Sequence, residues 1–232
     1  MFHTVNMKRI ILPAIFILTM STAIAQHYKY IDSSKVMGPA KYAADIKRNP
    51  ETRLVEIKKY IPGIALDIRY ATTNNFTHHR MYPQARAFAR LPVVFALKDV
   101  QDELKAKGLG LKIYDGYRPY SITEKFYEIA ADTNFVADPR KGSKHNRGCA
   151  IDLSLIDLKT GKELDMPTPF DSFSHKAAAN YPNLTPLQIA NRELLKNAMQ
   201  AHGFRVIATE WWHYDFNGWA KYPLLDIPFA TI

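Results

Sequence analysis

The chain has 232 residues, of which 47% are hydrophobic and 23% are charged, and its formal net charge is +9. This is an ordinary globular composition, and the length allows one substantial core. The basic residues are scattered, and no helix-turn-helix, zinc-finger or RNP-like signature is present, so nucleic acid is excluded as an expected partner.

The N-terminus has the pattern of a secretory signal peptide. Lys8 and Arg9 form a positive region, residues 10–20 are almost continuously apolar, and residues 23–25 (Ala-Ile-Ala) form a small-x-small cleavage site. We therefore predict a signal peptide at residues 1–25, a periplasmic or secreted location, and no stable membrane span after cleavage. The alternative is an uncleaved N-terminal anchor, although the apolar run is short for a membrane span.

The rest of the chain alternates between strand and helix patterns. Residues 26–50 are polar and punctuated by proline and glycine, and they predict a loosely held extension. Hydrophobic periodicity predicts strands at 54–57, 64–70, 111–115, 149–156, 204–207 and 212–216, and helices at 91–107, 121–131 and 186–203. These elements predict one α+β domain over residues 26–232, with a central, mainly antiparallel sheet, flanking helices and a metal site in a cleft.

The predicted strand at 149–156 alternates cleanly between two faces. Cys149, Ile151, Leu153 and Leu155 share the apolar face, so Asp152 points to the opposite face, among small residues. That position suits a metal ligand facing a cleft. Cys149 is the only cysteine and permits no internal disulfide; its place on the apolar face indicates a buried structural thiol.

His145 lies seven residues before Asp152, a spacing that puts the two on opposite faces of one straight strand. Gly148 between them predicts a break, with His145 in a turn and Asp152 on the strand that follows. Taken alone, His145 also fits an ordinary surface histidine.

Glu210 and His213 are three residues apart, a spacing that shares a face on a helix but not on a strand. The aromatic run around them favours a strand, so an irregularity near Glu210 is needed if both enter one site. The alternative is that Trp211 and Trp212 are simply aromatic core.

The stretches at residues 143–152 and 210–213 together supply the residue types that a hydrolytic zinc centre requires. Such a centre has three protein ligands, an open position for water, and a carboxylate that does not bind the metal. The pattern predicts one Zn²⁺ per chain. The remaining candidate ligands, His78, His79 and His175, are interpreted as loop histidines.

The motifs resemble those of the zinc D-alanyl-D-alanine dipeptidases, the vancomycin-resistance type within the zinc D,D-peptidase clan. The metal motif is Ser-x-His-x-x-Gly-x-Ala-x-Asp at 143–152 with Glu-x-Trp-His at 210–213, and other members of the clan share it. The segments Tyr-Asp-Gly-Tyr-Arg-Pro at 114–119 and Asp-Ile-Arg-Tyr at 67–70 narrow the resemblance to the dipeptidases. It covers most of residues 60–220.

The resemblance implies a role for each matching residue. The Zn²⁺ ligands would be His145, Asp152 and His213, and Glu210 would be the general base and acid. Arg118 would stabilise the oxyanion; without the resemblance, a structural salt bridge to Asp115 is the simpler interpretation.

The substrate implied is the small dipeptide D-alanyl-D-alanine, which carries an ammonium at one end and a carboxylate at the other. Asp171, with Tyr70, would hold the ammonium, and Ser143 would hydrogen-bond the carboxylate end. All three positions also fit ordinary loop residues.

Three functions compete. The first is a zinc dipeptidase acting in turnover or salvage of wall-derived dipeptide, and the second is a D,D-carboxypeptidase or endopeptidase acting on peptidoglycan stem peptides. The third is an inactive zinc-binding module, which the intact Glu210 and Arg118 argue against. Cleavage after residue 25 lowers the net charge from +9 to +7, which favours weak association with an anionic cell wall.

Overall fold

A computed structural model describes residues 27–130 and 132–232. The predicted signal peptide therefore lies outside the described residues. Within them, the strands are β1 (Val36–Met37), β2 (Leu54–Glu56), β3 (Ala65–Leu66), β4 (Phe88–Arg90), β5 (Leu109–Asp115), β6 (Ala150–Asp157), β7 (Phe204–Ile207), β8 (Glu210–Phe216) and β9 (Leu224–Leu225). The helices are α1 (Pro39–Arg48), α2 (Ile57–Tyr60), α3 (Leu91–Lys105), α4 (Tyr120–Ile129) and α5 (Pro186–Ala201).

The central sheet has five strands in the order β3-β5-β6-β8-β7. Only the β3–β5 pair is parallel; the β5–β6, β6–β8 and β7–β8 pairs are antiparallel. The α+β prediction with a mainly antiparallel sheet is confirmed. Strand β6 is buried along nearly its whole length because it lies in the middle of this sheet.

Helices α3 and α5 pack on the sheet and on each other. The apolar side chains of α3 that recur at helical spacing are fully buried, as expected for a helix with one face on a sheet. At the start of α5, Thr185 and Gln188 form a reciprocal capping box. Within 27–130 and 132–232, none of the helices has the length and apolarity needed to span a bilayer.

The predicted strand at 64–70 is wrong beyond Leu66. The chain instead forms a 3₁₀ turn at Arg69–Ala71. The carbonyl of Tyr70 accepts hydrogen bonds from the backbone N–H groups of Met81 and Tyr82, at 2.9 and 2.8 Å. This contact with a later loop turns the chain away from the sheet, and periodicity within the segment does not report it.

Residues 27–49, predicted to be loosely held, are folded onto the domain. Strand β1 pairs in parallel with β9, and helix α1 follows it. The Tyr28 hydroxyl donates to Asp226 at 3.0 Å, and the Tyr42 hydroxyl accepts the backbone N–H of Leu54 at 2.7 Å. The correction has a physical reason: two buried tyrosines anchor this polar segment to residues outside it, one of them 198 positions away in the sequence.

Candidate active site

The turn before β6 places His145. It is a short 3₁₀ turn, His145–Arg147, which Gly148 ends with a φ of +67°. A Cβ atom at Gly148 would lie 2.6 Å from Leu54 Cδ2 and 3.3 Å from the backbone nitrogen of Arg90, so the close packing adds to the preference for glycine that the backbone angle sets. The chain then enters β6 and carries Asp152 to the same side as His145, in the turn-then-strand arrangement that the spacing predicted.

Strand β8 places Glu210 and His213. His213 lies opposite Asp152 in the β6–β8 ladder. The register between β7 and β8 shifts between Val206 and Ile207, because three residues of β8 lie between their partners Tyr214 and Glu210. This irregularity brings a carboxylate oxygen of Glu210 to 3.8 Å from His213 Nδ1, as the spacing of the pair required.

The side chains of His145, Asp152 and His213, which we call the metal cluster, converge on one point. His145 Nε2 and His213 Nδ1 lie 3.4 and 3.0 Å from Asp152 Oδ1, and 3.2 Å from each other. All three residues are buried. Among residues 27–130 and 132–232, none donates a hydrogen bond to Asp152 Oδ1, although this atom is buried. Two nitrogens and a carboxylate oxygen in this arrangement fit a metal ion.

The outer ring nitrogens of both histidines have partners of their own. His145 Nδ1 lies 2.7 Å from the Gly116 carbonyl, and His213 Nε2 lies 2.9 Å from Asp215 Oδ1. Each of these contacts favours a hydrogen on the outer nitrogen, so that the inner nitrogen, once deprotonated, directs its lone pair into the cluster. Both rings therefore present the acceptor that a cation needs.

The electrostatics of the cluster also favour a cation. Burial opposes a charged His213, but its contacts with Asp152 and Asp215 outweigh burial and raise its pKa to about 10. Burial likewise opposes ionisation of Asp152, yet His145 and His213 hold its pKa well below the usual range. The cluster therefore attracts positive charge, and its three side chains are buried.

Arg118 lies beside the metal cluster and is buried. Its Nη2 and Nε donate to Asp115 Oδ2 at 2.8 and 3.0 Å, and Nη2 lies 4.0 Å from Asp152 Oδ2. The Tyr82 hydroxyl donates to the other oxygen of Asp115 at 2.9 Å. The salt bridge to Asp115, considered as an alternative to a catalytic role, is present, and it fixes a guanidinium that also lines the cleft.

Asp171 and Tyr70 both line the cleft and contact each other, although they are 101 residues apart in the sequence. The Tyr70 hydroxyl lies 3.0 and 2.9 Å from the two carboxylate oxygens of Asp171. Asp171 has a φ of +64°, an uncommon conformation for a residue other than glycine. Burial raises the pKa of Asp171 to about 7, although the hydrogen bond from Tyr70 acts in the opposite direction.

Ser143 lies at the cleft wall, where its Oγ accepts the backbone N–H of His145 at 3.2 Å. Glu210 has a side chain that is 27% exposed, and burial raises its pKa above the ordinary value. The cleft has a volume of about 300 Å³, which lies at the lower end of the range for small-ligand sites. All eight residues predicted for the site line it: Tyr70, Arg118, Ser143, His145, Asp152, Asp171, Glu210 and His213.

The other predicted histidines and the cysteine lie outside the metal cluster. His78, His79 and His175 are exposed, as expected for loop histidines. Cys149 is fully buried, and burial raises its pKa to about 12. The thiol is therefore protonated and poorly suited to bind a metal, in agreement with its interpretation as a structural residue.

Sequence reasoning missed one polar partner of the cluster, Asp215. It follows His213 by two residues on a strand, so both side chains share one face. That spacing was visible in the sequence. Its meaning depended on which nitrogen of His213 faces the cluster, and only the structure shows that.

Comparison with known proteins places the chain in a family. Residues 50–229 match the family model described as D-ala-D-ala dipeptidase. The chain belongs to the D-Ala-D-Ala dipeptidase family. It is 36% identical to the D-alanyl-D-alanine dipeptidase of Escherichia coli over 179 residues, which cover 77% of this chain and 92% of that protein. It is 30% identical to the enzyme of the same name from Enterococcus faecalis over 184 residues, covering 71% and 91%.

Among solved structures, the vancomycin-resistance D,D-pentapeptidase VanY in complex with Zn(II) is 17% identical and has a TM-score of 0.38. The likeness covers 58% of this chain and 75% of that one. All eight cleft residues named above fall inside the range matched by the dipeptidase family. The folded extension at residues 27–49 precedes that range.

Proposed function

We propose that the protein is a zinc-dependent dipeptidase that hydrolyses D-alanyl-D-alanine to two D-alanines. The observation that carries the proposal is the placement of Glu210 beside the three converging atoms of the metal cluster, in a chain of the dipeptidase family. Release of D-alanine from the dipeptide by zinc-loaded protein tests it, and failure of that release would overturn it.

One Zn²⁺ would be held by His145 Nε2, Asp152 Oδ1 and His213 Nδ1. Bound zinc supplies a Lewis acid and lowers the pKa of a water molecule toward ~7. Nitrogen and carboxylate donors together favour zinc over magnesium, which prefers an all-oxygen site.

Glu210 moves the protons of the reaction. Its carboxylate accepts a proton from the attacking water and passes it to the departing amine of the substrate. Its raised pKa suits this exchange, because a carboxyl group that titrates closer to neutral pH both accepts and donates readily.

Arg118 stabilises the negative charge that develops on the oxygen of the scissile peptide bond. Burial disfavours its charge, but the contact with Asp115 raises its pKa well above the ordinary value, so the guanidinium stays protonated. Because Asp115 is itself held by Tyr82, the donor is fixed before the substrate arrives.

The ends of the dipeptide would be held by Asp171 and Ser143. Asp171, positioned by the Tyr70 hydroxyl, pairs with the substrate ammonium, and the Ser143 hydroxyl donates to the substrate carboxylate. A carboxylate that pairs with a free ammonium makes an unblocked N-terminus a requirement for binding.

The cellular setting is part of the proposal. Residues 1–25 would be removed on export, which leaves residues 26–232 as a single periplasmic or secreted enzyme of charge +7. The partner is the dipeptide itself rather than nucleic acid, and the positive charge supports weak association with an anionic wall.

Zinc is expected to stabilise the protein. At a zinc concentration 100-fold above Kd, the free energy of unfolding rises by about 2.7 kcal/mol. For a chain of this size that corresponds to a rise in Tm of roughly 5–11 °C. This rise in Tm is measured by thermal unfolding of chelator-treated protein with and without added zinc. Magnesium at the same concentration and the Asp152→Asn variant with zinc serve as controls and are expected to show no shift. Equal shifts for zinc and magnesium would contradict the assigned ligands.

Binding of the dipeptide is expected to strengthen as pH rises through about 7, because the pKa of Asp171 is raised to about 7 and the carboxylate forms only above it. Above about pH 8 the substrate loses its ammonium and binding weakens again. Calorimetry on the Glu210→Gln variant, which should not turn the ligand over, measures the dissociation constant.

Asp171→Asn in that background is expected to weaken binding by roughly 10–100-fold above pH 7 and to remove the rise between pH 6 and 7.5. An unchanged pH profile in the Asp171→Asn variant would refute the role of this carboxylate.

A further inference from the structure

Asp215 lies at the outer edge of His213, away from the three converging atoms. One carboxylate oxygen, Oδ1, is 2.9 Å from His213 Nε2. The other, Oδ2, is 3.4 Å from the ammonium of Lys144. Asp215 is therefore bound on both sides, by the ring that faces the cluster and by the residue that precedes His145.

The two histidines of the cluster differ in this outer contact. His145 Nδ1 is hydrogen-bonded to the neutral Gly116 carbonyl, with Asp115 Oδ2 farther away at 3.9 Å, whereas His213 Nε2 contacts a carboxylate directly. A carboxylate makes the imidazole a stronger donor to a metal and fixes its tautomer. The charge of Asp215 therefore strengthens His213 as a metal ligand more than a neutral acceptor would.

Lys144 connects the turn that carries His145 with strand β8, which carries His213. Its backbone carbonyl accepts the N–H groups of Arg147 and Cys149, at 3.0 and 3.1 Å, and so closes the turn that carries His145. Its ammonium reaches Asp215 on β8 and lies 5.3 Å from the centre of the Trp219 ring. The turn of one ligand is thereby tied to the outer partner of the other.

We propose that Asp215 is a positioning residue of the metal centre, whose carboxylate fixes the tautomer and orientation of His213, and that Lys144 holds this carboxylate in place. The proposal rests on the proposed zinc site. A surface ion pair without this role would contribute little to stability and nothing to metal affinity.

The zinc dissociation constant, measured by competition with a chromophoric chelator, tests the proposal. Asp215→Asn, which keeps the size and one acceptor oxygen but removes the charge, is expected to weaken zinc binding by about 10–100-fold. Asp99→Asn, an exposed aspartate on α3, is the matched control and is expected to change nothing.

Lys144→Met acts on a partly exposed residue and gives a second variant if Asp215→Asn fails to fold. It is expected to weaken zinc binding by less than about fivefold. In the Asp215→Asn background it is expected to have no further effect, because the two residues act through one contact.

A spectroscopic measurement separates positioning from a purely structural role. Cobalt(II) bound in place of zinc absorbs visible light according to its ligand geometry, and Asp215→Asn is expected to change that spectrum. A dissociation constant within about twofold of the wild type, with an unchanged cobalt spectrum, would overturn the role of Asp215 and leave the zinc site standing. Wild-type protein that binds no zinc would overturn both.

Discussion

Glu210→Gln is expected to lower kcat for D-alanyl-D-alanine by about 10²–10⁴-fold while zinc binding is retained. Glutamine keeps the shape of the side chain but accepts no proton from the attacking water. Glu210 is not one of the three residues of the metal cluster, so its replacement leaves the metal ligands in place. Steady-state release of D-alanine and the bound-zinc content of the same sample give the two quantities.

Glu51→Gln is the matched control for this prediction, because Glu51 is exposed and lies outside the cleft. It is expected to leave kcat unchanged. Loss of zinc from Glu210→Gln would make Glu210 a metal ligand instead, and full activity of a zinc-loaded Glu210→Gln would remove the proposed proton transfer.

Arg118→Lys is expected to lower kcat by roughly 10²–10³-fold. Lysine keeps the positive charge but has no planar fork, so it does not contact Asp115 with two donors and point a further donor at the substrate. The loss is expected in kcat more than in KM, since the charge that Arg118 stabilises develops in the transition state.

The control for Arg118→Lys uses an equivalent pair elsewhere in the chain. Arg86 also donates through two nitrogens to one carboxylate, that of Glu56, at 3.0 and 2.9 Å, and it lies outside the cleft. Arg86→Lys is expected to leave kcat unchanged. Equal effects of the two substitutions would reduce Arg118 to a structural residue.

Removing the Arg118 charge altogether is expected to cost stability as well as activity. Arg118→Ala leaves the Asp115 carboxylate buried without its cationic partner, and breaking a buried ion pair in this way typically costs about 3–5 kcal/mol. Chemical denaturation measures this cost, and it is the reason that lysine, rather than alanine, is the substitution for the kinetic test.

The sequence predicted the parts of the fold that local residues determine. The positive φ at Gly148 favours glycine through the local backbone alone, and the start of α5 is set by Thr185 and Gln188 within one turn. The prediction failed at residues 67–70 and 27–49, where hydrogen bonds to residues outside the segment decide the conformation. A hydrogen bond from Met81 to Tyr70, or a tyrosine that reaches Asp226, leaves no periodic trace in the sequence.

The candidate site shows the same division. The resemblance to the dipeptidases, more than spacing, predicted that the cleft residues lie together, because the spacing of His145 and Asp152 alone puts them on opposite faces of a strand. It did not show which nitrogen of each histidine faces inward, nor that Asp215 stands behind His213. It also did not show that Arg118 is in a salt bridge and in the cleft at once. These facts depend on register and side-chain direction.

The most direct test of the central claim is release of D-alanine from D-alanyl-D-alanine by the zinc-loaded protein comprising residues 26–232. N-acetyl-D-alanyl-D-alanine and L-alanyl-L-alanine are assayed beside it. The proposed dipeptidase cleaves only the free D,D-dipeptide. Cleavage of the N-acetylated substrate would contradict the pairing of Asp171 with a free ammonium and indicate a carboxypeptidase instead. No cleavage of any of the three with zinc bound would contradict the enzymatic function itself.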